Sequence, residues 1–342
     1  MPMKLMRTEE AVGQMLCHDI TQIIRGVSKG PVFKKGHIIT EEDIPVLLSV
    51  GKDTIYIWEV NENMMHENDA AQVLCDISIN DHMHASDISE GKIELIADCP
   101  GLLKVDKKRL NAINSLGQMM IASRHGNFAV KAGDKIAGMR VIPLIIEKQK
   151  MEAARAAVEG GQIFSLLPFA HKKVGIVTTG NEVFYGRIKD TFTPVIIDKL
   201  AEFDVEIIGH EISSDDSAME IAAIRKLLDA GADMILCTGG MSVDPDDRTP
   251  YAIGQVADRV VTYGAPVLPG AMFMLAYKGE NNIPIMGLPG CVMYAKRTIF
   301  DLVLPRIMAG EVLEKSDIDL LGEGGLCLGC KVCTFPNCGF GK

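Results

Sequence analysis

From residue 173 to residue 308 the chain alternates apolar runs with capped helix-forming stretches, and this alternation constrains the fold more than any other feature. The run 173–179 (KVGIVTT) reads as a buried strand, 205–212 as the next strand and 233–238 (DMILCT) as a third, the first and third largely apolar as strands covered on both faces are. Between them, Thr193-Pro194 offers a cap and a first-turn proline for a helix through Phe203, and Asp215 or Asp216 caps a helix over 217–230. Strand–helix–strand repetition predicts a mostly parallel sheet flanked by helices, an α/β fold. Further along, Thr249–Val256 reads as helix and 260–263 as strand. Residues 272–277 and 283–287 read as a hairpin, and a long helix is expected from about Val292 to Met308, completing the core.

The first 147 residues follow a different grammar. Short runs such as Thr54–Trp58 (TIYIW), 91–97, Gly101–Val105, 119–122 and 135–146 are separated by turns, with helices expected at 44–50 and within 109–114. This half is expected to be a smaller β-rich domain, a barrel or sandwich. A Glu-, Lys- and Ala-rich helix ending at Gly160-Gly161 is read as the connector, so the expected division is 1–147, 148–170, 171–312 and a tail, 313–342.

Charge narrows the function. The 35 basic and 45 acidic residues give a net charge of −10 without any run of five Lys or Arg, which disfavours nucleic acid and anionic membrane as partners. No 18-residue apolar run and no hydrophobic leader core occur, so a soluble, cytoplasmic protein is expected.

In an open parallel sheet, ligands bind beyond the carboxyl ends of the strands. Three such ends here run into glycine: Thr178-Thr179-Gly180, Thr238-Gly239-Gly240 and Leu288-Pro289-Gly290. Glycine admits a ligand close to the backbone, and the amides beyond it can hold a phosphate. Glu182, Asp190, Asp215, Asp216, Asp244, Asp246 and Asp247 collect on the same edge. Carboxylates beside a phosphate call for a bridging cation, and Mg²⁺ is commonly held by carboxylates together with substrate phosphates. Arg187, Lys189, Arg248 and Lys296 are the nearest basic residues. Neither a dinucleotide fingerprint nor a P-loop is present.

Four motifs in order, Thr178-Thr179-Gly180-Asn181-Glu182-Val183, Gly186-Arg187-Ile188-Lys189-Asp190-Thr191, Thr238-Gly239-Gly240-Met241-Ser242 and Leu288-Pro289-Gly290, resemble the molybdopterin-binding fold over about 170–310. That fold is shared by molybdopterin adenylyltransferases, molybdopterin molybdenumtransferases and gephyrin-like proteins. The Pro269-Gly270 turn and the final helix look closer to the molybdenumtransferases. The resemblance implies catalytic roles for Glu182, Asp190 and Asp247. It implies substrate binding by Thr179, Gly180, Asp215, Asp216, Gly239, Gly240, Ser242, Pro289 and Gly290. The implied ligand is molybdopterin or its adenylylated form, with Mg²⁺ on the carboxylates and a homo-oligomeric assembly. The implied activity is molybdenum insertion with release of the nucleotide. Phe192, Asp244-Pro245 and Cys291 depart from the family pattern and favour the alternative, a non-catalytic carrier or sensor serving a molybdoenzyme.

Nine cysteines divide into five scattered ones and a crowded set: Cys327, Cys330, Cys333 and Cys338. Four thiols at this spacing in a Gly-rich, flexible frame read as ligands of one zinc ion or an iron–sulfur cluster. His82 and His84 are read as loop histidines rather than a metal site.

Overall fold

The computed structural model describes residues 3–24, 28–58, 63–245 and 247–342. It comprises two compact units. One consists of Met1–Asp98, Val105–Arg124 and Gly133–Ser165; the other of Cys99–Lys104, His125–Ala132 and Leu166–Lys342. This division differs from the continuous one expected. Strands Gly101–Val105 and Phe128–Val130 leave the N-terminal half to form a three-stranded sheet with Phe164–Pro168.

The first unit is β-rich. Lys92–Ala97 and Lys135–Val141 lie at the centre of a four-stranded antiparallel sheet, edged by Met83–Ala85 and Met119–Ser123. Met3–Arg7 pairs with Thr54–Trp58, Ile20–Ile24 with Ser28–Phe33, and Met64–His66 with Ile145–Glu147, so small separate sheets replace the expected barrel or sandwich. The helix Lys148–Ala157 buries Met151 and Ala154, which makes it part of this unit's core rather than a bare connector.

The second unit is built on a six-stranded sheet. Its order is Val205–Ser213, Lys172–Thr179, Met234–Thr238, Ile283–Leu288, Met274–Lys278, Arg259–Tyr263. The first four strands pair in parallel, and Met274–Lys278 runs against both its neighbours, Ile283–Leu288 and Arg259–Tyr263, as the strand–helix alternation and the hairpin predict. Strand alternation feeds both faces. Ile176, Leu236 and Met286 pack with Ile196, Phe300 and Ile307 on one side. Val177, Ile235 and Ile285 pack with Ile224, Leu227 and Ile253 on the other. Each such burial contributes about 1.5–3 kcal/mol, so the sheet is a rigid platform for what its edge carries.

Two expectations fail at the C-terminal end. No α-helix starts at Val292: Gly290–Met293 is a single 3₁₀ turn, and the helix is Ile299–Met308. Its start is set by Thr298, which caps it in a reciprocal pair with Asp301. The core is also not complete by Met308. Leu313, Ile318 and Phe340 are buried in the same cluster as Phe300, and Arg306 pairs with Glu311 at 2.7 Å and Asp317 at 2.8 Å. The tail is therefore anchored by Leu313, Ile318 and Phe340, which find the sheet's helix layer, while Leu320, Leu326, Leu328 and Val332 stay exposed.

Candidate functional site

Parallel register aligns the strand ends. Thr179 lies opposite Ser213, Thr178 opposite Thr238, and Thr238 opposite Leu288, so the three glycine turns and Ser213-Ser214 share one edge. Beneath the turns sits a buried hydroxyl layer: Thr178, Thr179, Thr193, Thr238 and Thr249. Thr179 Oγ1 donates to Thr238 O at 3.2 Å and lies 3.1 Å from Thr249 Oγ1, which ties the first two turns to the helix Thr249–Val256.

The glycines are not equivalent. Gly239 has φ +85°, and a Cβ there would stand 2.2 Å from Thr179 O, so this turn admits glycine for the protein's own packing. Gly290 has ordinary φ, is exposed, and a Cβ there would meet nothing within 4 Å. Open space over Gly290, beside buried Pro289, is what a ligand needs. The expected anion site on a long helix after this turn is absent, since only the 3₁₀ turn follows.

The acidic residues separate by what they touch. Asp190 Oδ1 accepts from Phe192 N at 2.8 Å and Thr193 N at 3.1 Å, opening the helix Phe192–Leu200. Burial pushes its carboxyl up, but the bonds from Thr193 and Phe192 and the nearby His210 outweigh that and hold it below the ordinary range. Asp216 caps Ser217–Asp229, its Oδ1 accepting from Ala218 N at 2.9 Å and Met219 N at 3.0 Å. Asp215 Oδ2 accepts from Asn181 N at 2.9 Å, joining the second strand end to the turn that carries exposed Glu182. Asp247 Oδ2 accepts from Ser242 N at 2.8 Å and closes the loop after Gly240. Asp246 lies outside the described residues. Among the described residues, no three His, Cys, Asp or Glu side chains gather as a metal-holding group.

Three residues were not singled out from the sequence. His210 Nε2 sits 2.9 Å from Thr178 Oγ1, 3.2 Å from Thr193 Oγ1 and 3.7 Å from Asp190 Oδ2. Tyr263 donates to Met241 O at 3.1 Å, bracing the Gly240–Ser242 turn. Glu220 is 1% exposed, and neither carboxylate oxygen has a hydrogen-bond partner. Burial pushes its carboxyl up to about 7, with the Asp215 charge adding to the effect and the Arg248 charge opposing it. A desolvated carboxyl poised near neutrality beneath the strand ends makes Glu220 a candidate functional residue.

Of the expected basic contacts, Arg187 stacks over Tyr185, and Lys296 Nζ donates to Lys331 O at 2.8 Å, facing the tail. Cys327, Cys330, Cys333 and Cys338 are all free thiols and line one cavity of about 420 Å³. His84 pairs with Asp98 at the surface. The first unit holds its own cavity of about 350 Å³, among His18, Lys35, His66, Glu67 and Arg140.

Residues 175–309 match the family model described as a probable molybdopterin binding domain, and residues 5–59 match one described as a domain of unknown function. A CinA-like protein of Mycobacterium avium (strain 104) is 36% identical over 95 residues, 28% of this chain and 22% of that protein. A CinA-like protein of Mycolicibacterium gilvum is 36% identical over 87 residues, 25% of this chain and 21% of that one. The chain thus matches about a fifth of the length of these curated relatives. Among solved structures, the molybdopterin biosynthesis enzyme MoaB from Thermus thermophilus is 26% identical, covering 41% of this chain and 98% of that one, with a TM-score of 0.35. The molybdopterin-binding fold expected from the four motifs is borne out over 175–309, and the match supports a role connected with molybdenum cofactor biosynthesis.

Proposed function

We propose that the protein binds molybdopterin or its adenylylated form across the three glycine turns and inserts molybdenum with release of the nucleotide. The observation that carries this reading is the alignment of Thr179-Gly180, Gly239-Gly240 and Pro289-Gly290 on one parallel edge, with open space over Gly290. Exposed backbone at such an edge can take phosphate oxygens, and the hydroxyl layer beneath keeps the turns in place.

Magnesium, when bound, supplies charge neutralisation at a phosphoanhydride. Glu182 and Asp215, on either side of the Gly180 turn, are the residues that would hold it. A small carboxylate set suits this ion, which usually relies on one or two carboxylates plus substrate phosphates. Asp190 and Asp247, each with an oxygen committed to backbone amides, act as positioning residues for the loops at 190–193 and 242–247. Attack of water on the phosphoanhydride breaks its bridging P–O bond, AMP departs as the leaving group and the protons pass to solvent, while Glu220, buried beside Asp215, tunes the charge under the edge.

The commitment of Asp190 and Asp247 to backbone bonds favours a second reading, a carrier that holds the cofactor for a molybdoenzyme without turnover. Incubation with adenylylated molybdopterin, molybdate and Mg²⁺ separates the two. Stoichiometric or catalytic AMP release supports insertion; tight binding without AMP supports the carrier; no binding removes both.

A further inference from the structure

The four tail cysteines do not converge as one zinc ion requires. A tetrahedral zinc site brings four sulfurs to about 2.3 Å from a single point. Among the described residues no three metal-ligating side chains are gathered that way. Instead Cys327, Cys330, Cys333 and Cys338 stand around a void of about 420 Å³. From these positions we propose that they hold an iron–sulfur cluster of the cubane class within that cavity. Thiols spread around a void suit an inorganic core whose ligands bind separate iron atoms at its corners.

The frame of the cavity is built rather than loose. Cys327 N donates to Leu268 O at 2.8 Å, and Leu268 N donates to Gly325 O at 2.8 Å, so the tail starts as a strand-like bridge on the second unit. Phe335 packs between Phe128 and Phe340 at centroid distances of 5.8 and 6.1 Å. Cys327 and Cys338 lean on the hydrophobic core, whereas Cys330 and Cys333 are exposed and close the cavity from outside. The spacing Cys-x₂-Cys-x₂-Cys matches the start of a ferredoxin-type loop, with a wider step to Cys338.

Charge agrees with this assignment. A cubane on four thiolates is anionic, and Lys296 and Arg297 line the same cavity. Arg297 is held in place by Asp301 at 2.9 Å, Glu202 at 3.2 Å and stacking over Phe335 at 4.9 Å, so its charge is shared with two carboxylates, and Lys296, bonded to the Lys331 carbonyl, is the cation the wall offers. Lys296 follows closely on the 3₁₀ turn of Gly290, which makes one segment serve both the strand-end site and the cysteine cavity. The cluster assignment does not depend on what the strand ends bind.

The test is anaerobic reconstitution of the full-length chain with ferrous iron and sulfide, followed by desalting, metal and sulfide quantitation, and electron paramagnetic resonance after reduction. About four iron and four sulfide per chain with a reduced-cluster signal is the expected result. The doubly substituted Cys330→Ser, Cys333→Ser chain alters only exposed thiols and should keep its melting temperature while losing the cluster. Full-length protein that takes up no iron and sulfide overturns the proposal. So does one tightly held zinc per chain that iron and sulfide cannot replace, or a cluster undiminished in the double variant. Should the double variant fail to fold, the wild-type stoichiometry decides alone.

Discussion

Glu220→Gln is the sharpest probe of the buried carboxyl under the strand ends. The carboxyl is pushed from 4.5 up to about 7 because it is buried without a hydrogen-bond partner and faces Asp215. The folded state therefore holds this proton over a range where the unfolded chain has released it. Stability from this group is intact below about pH 4.5 and is lost as pH rises through about 7. At about 1.4 kcal/mol per pKa unit, the loss is on the order of 3 kcal/mol above neutrality. Glutamine keeps the shape and cannot ionise. In urea titrations between pH 5 and pH 8.5, the variant should gain about 2–3 kcal/mol relative to wild type as pH rises, levelling off above pH 8. A stability difference that stays constant with pH would refute the reasoning, since it would mean that Glu220 titrates like a solvated carboxylate.

Phe340→Ala should lower the melting temperature by about 6–12 °C, from a cost of about 3 kcal/mol at a side chain only 3% exposed. Leu328→Ala, at 82% exposed, should leave it unchanged in the same calorimetric scan. Equal behaviour of the two would show that the tail is not packed as described. Asp247→Asn keeps the bond from Ser242 but removes the charge, so it should cost under about 1 kcal/mol of stability in urea titrations. Assayed for AMP release, the same variant should be slower at unchanged substrate affinity; full activity would remove Asp247 from the catalytic account.

Lys172–Thr179 and Met234–Thr238 were legible because parallel strands covered on both faces leave nearly continuous apolar runs, and the strands Gly101–Val105 and Thr54–Trp58 and the helix Thr249–Val256 also fall where the sequence places them. The helix start was misread because apolar spacing from Val292 onward resembles a helix, while the deciding signal was the Thr298-x-x-Asp301 cap. The tail was misread for a different reason. Glycine and cysteine dominate its composition, yet Phe340 reaches a core made by residues far away in sequence, and such burial has no local signature. The discontinuous units have the same origin, since 101–105 lies between 128–130 and a strand beginning at Phe164 and pairs with both. In the site, the glycine turns and acidic positions were readable as motifs. His210 and Glu220 were not, because nothing local shows that a strand histidine meets the Thr178 and Thr193 hydroxyls or that a helix glutamate is buried.

Gly290→Val tests the strand-end site most directly, because a Cβ there meets no atom within 4 Å beyond its chain neighbours, φ is ordinary and the fold should not respond. In anaerobic titration calorimetry, wild-type protein should bind adenylylated molybdopterin at one site per chain. The valine variant, with an unchanged melting temperature, should bind it at least about tenfold more weakly, a loss of about 1.4 kcal/mol or more. Equal affinity of the two proteins, or no binding by wild type, would contradict the assignment.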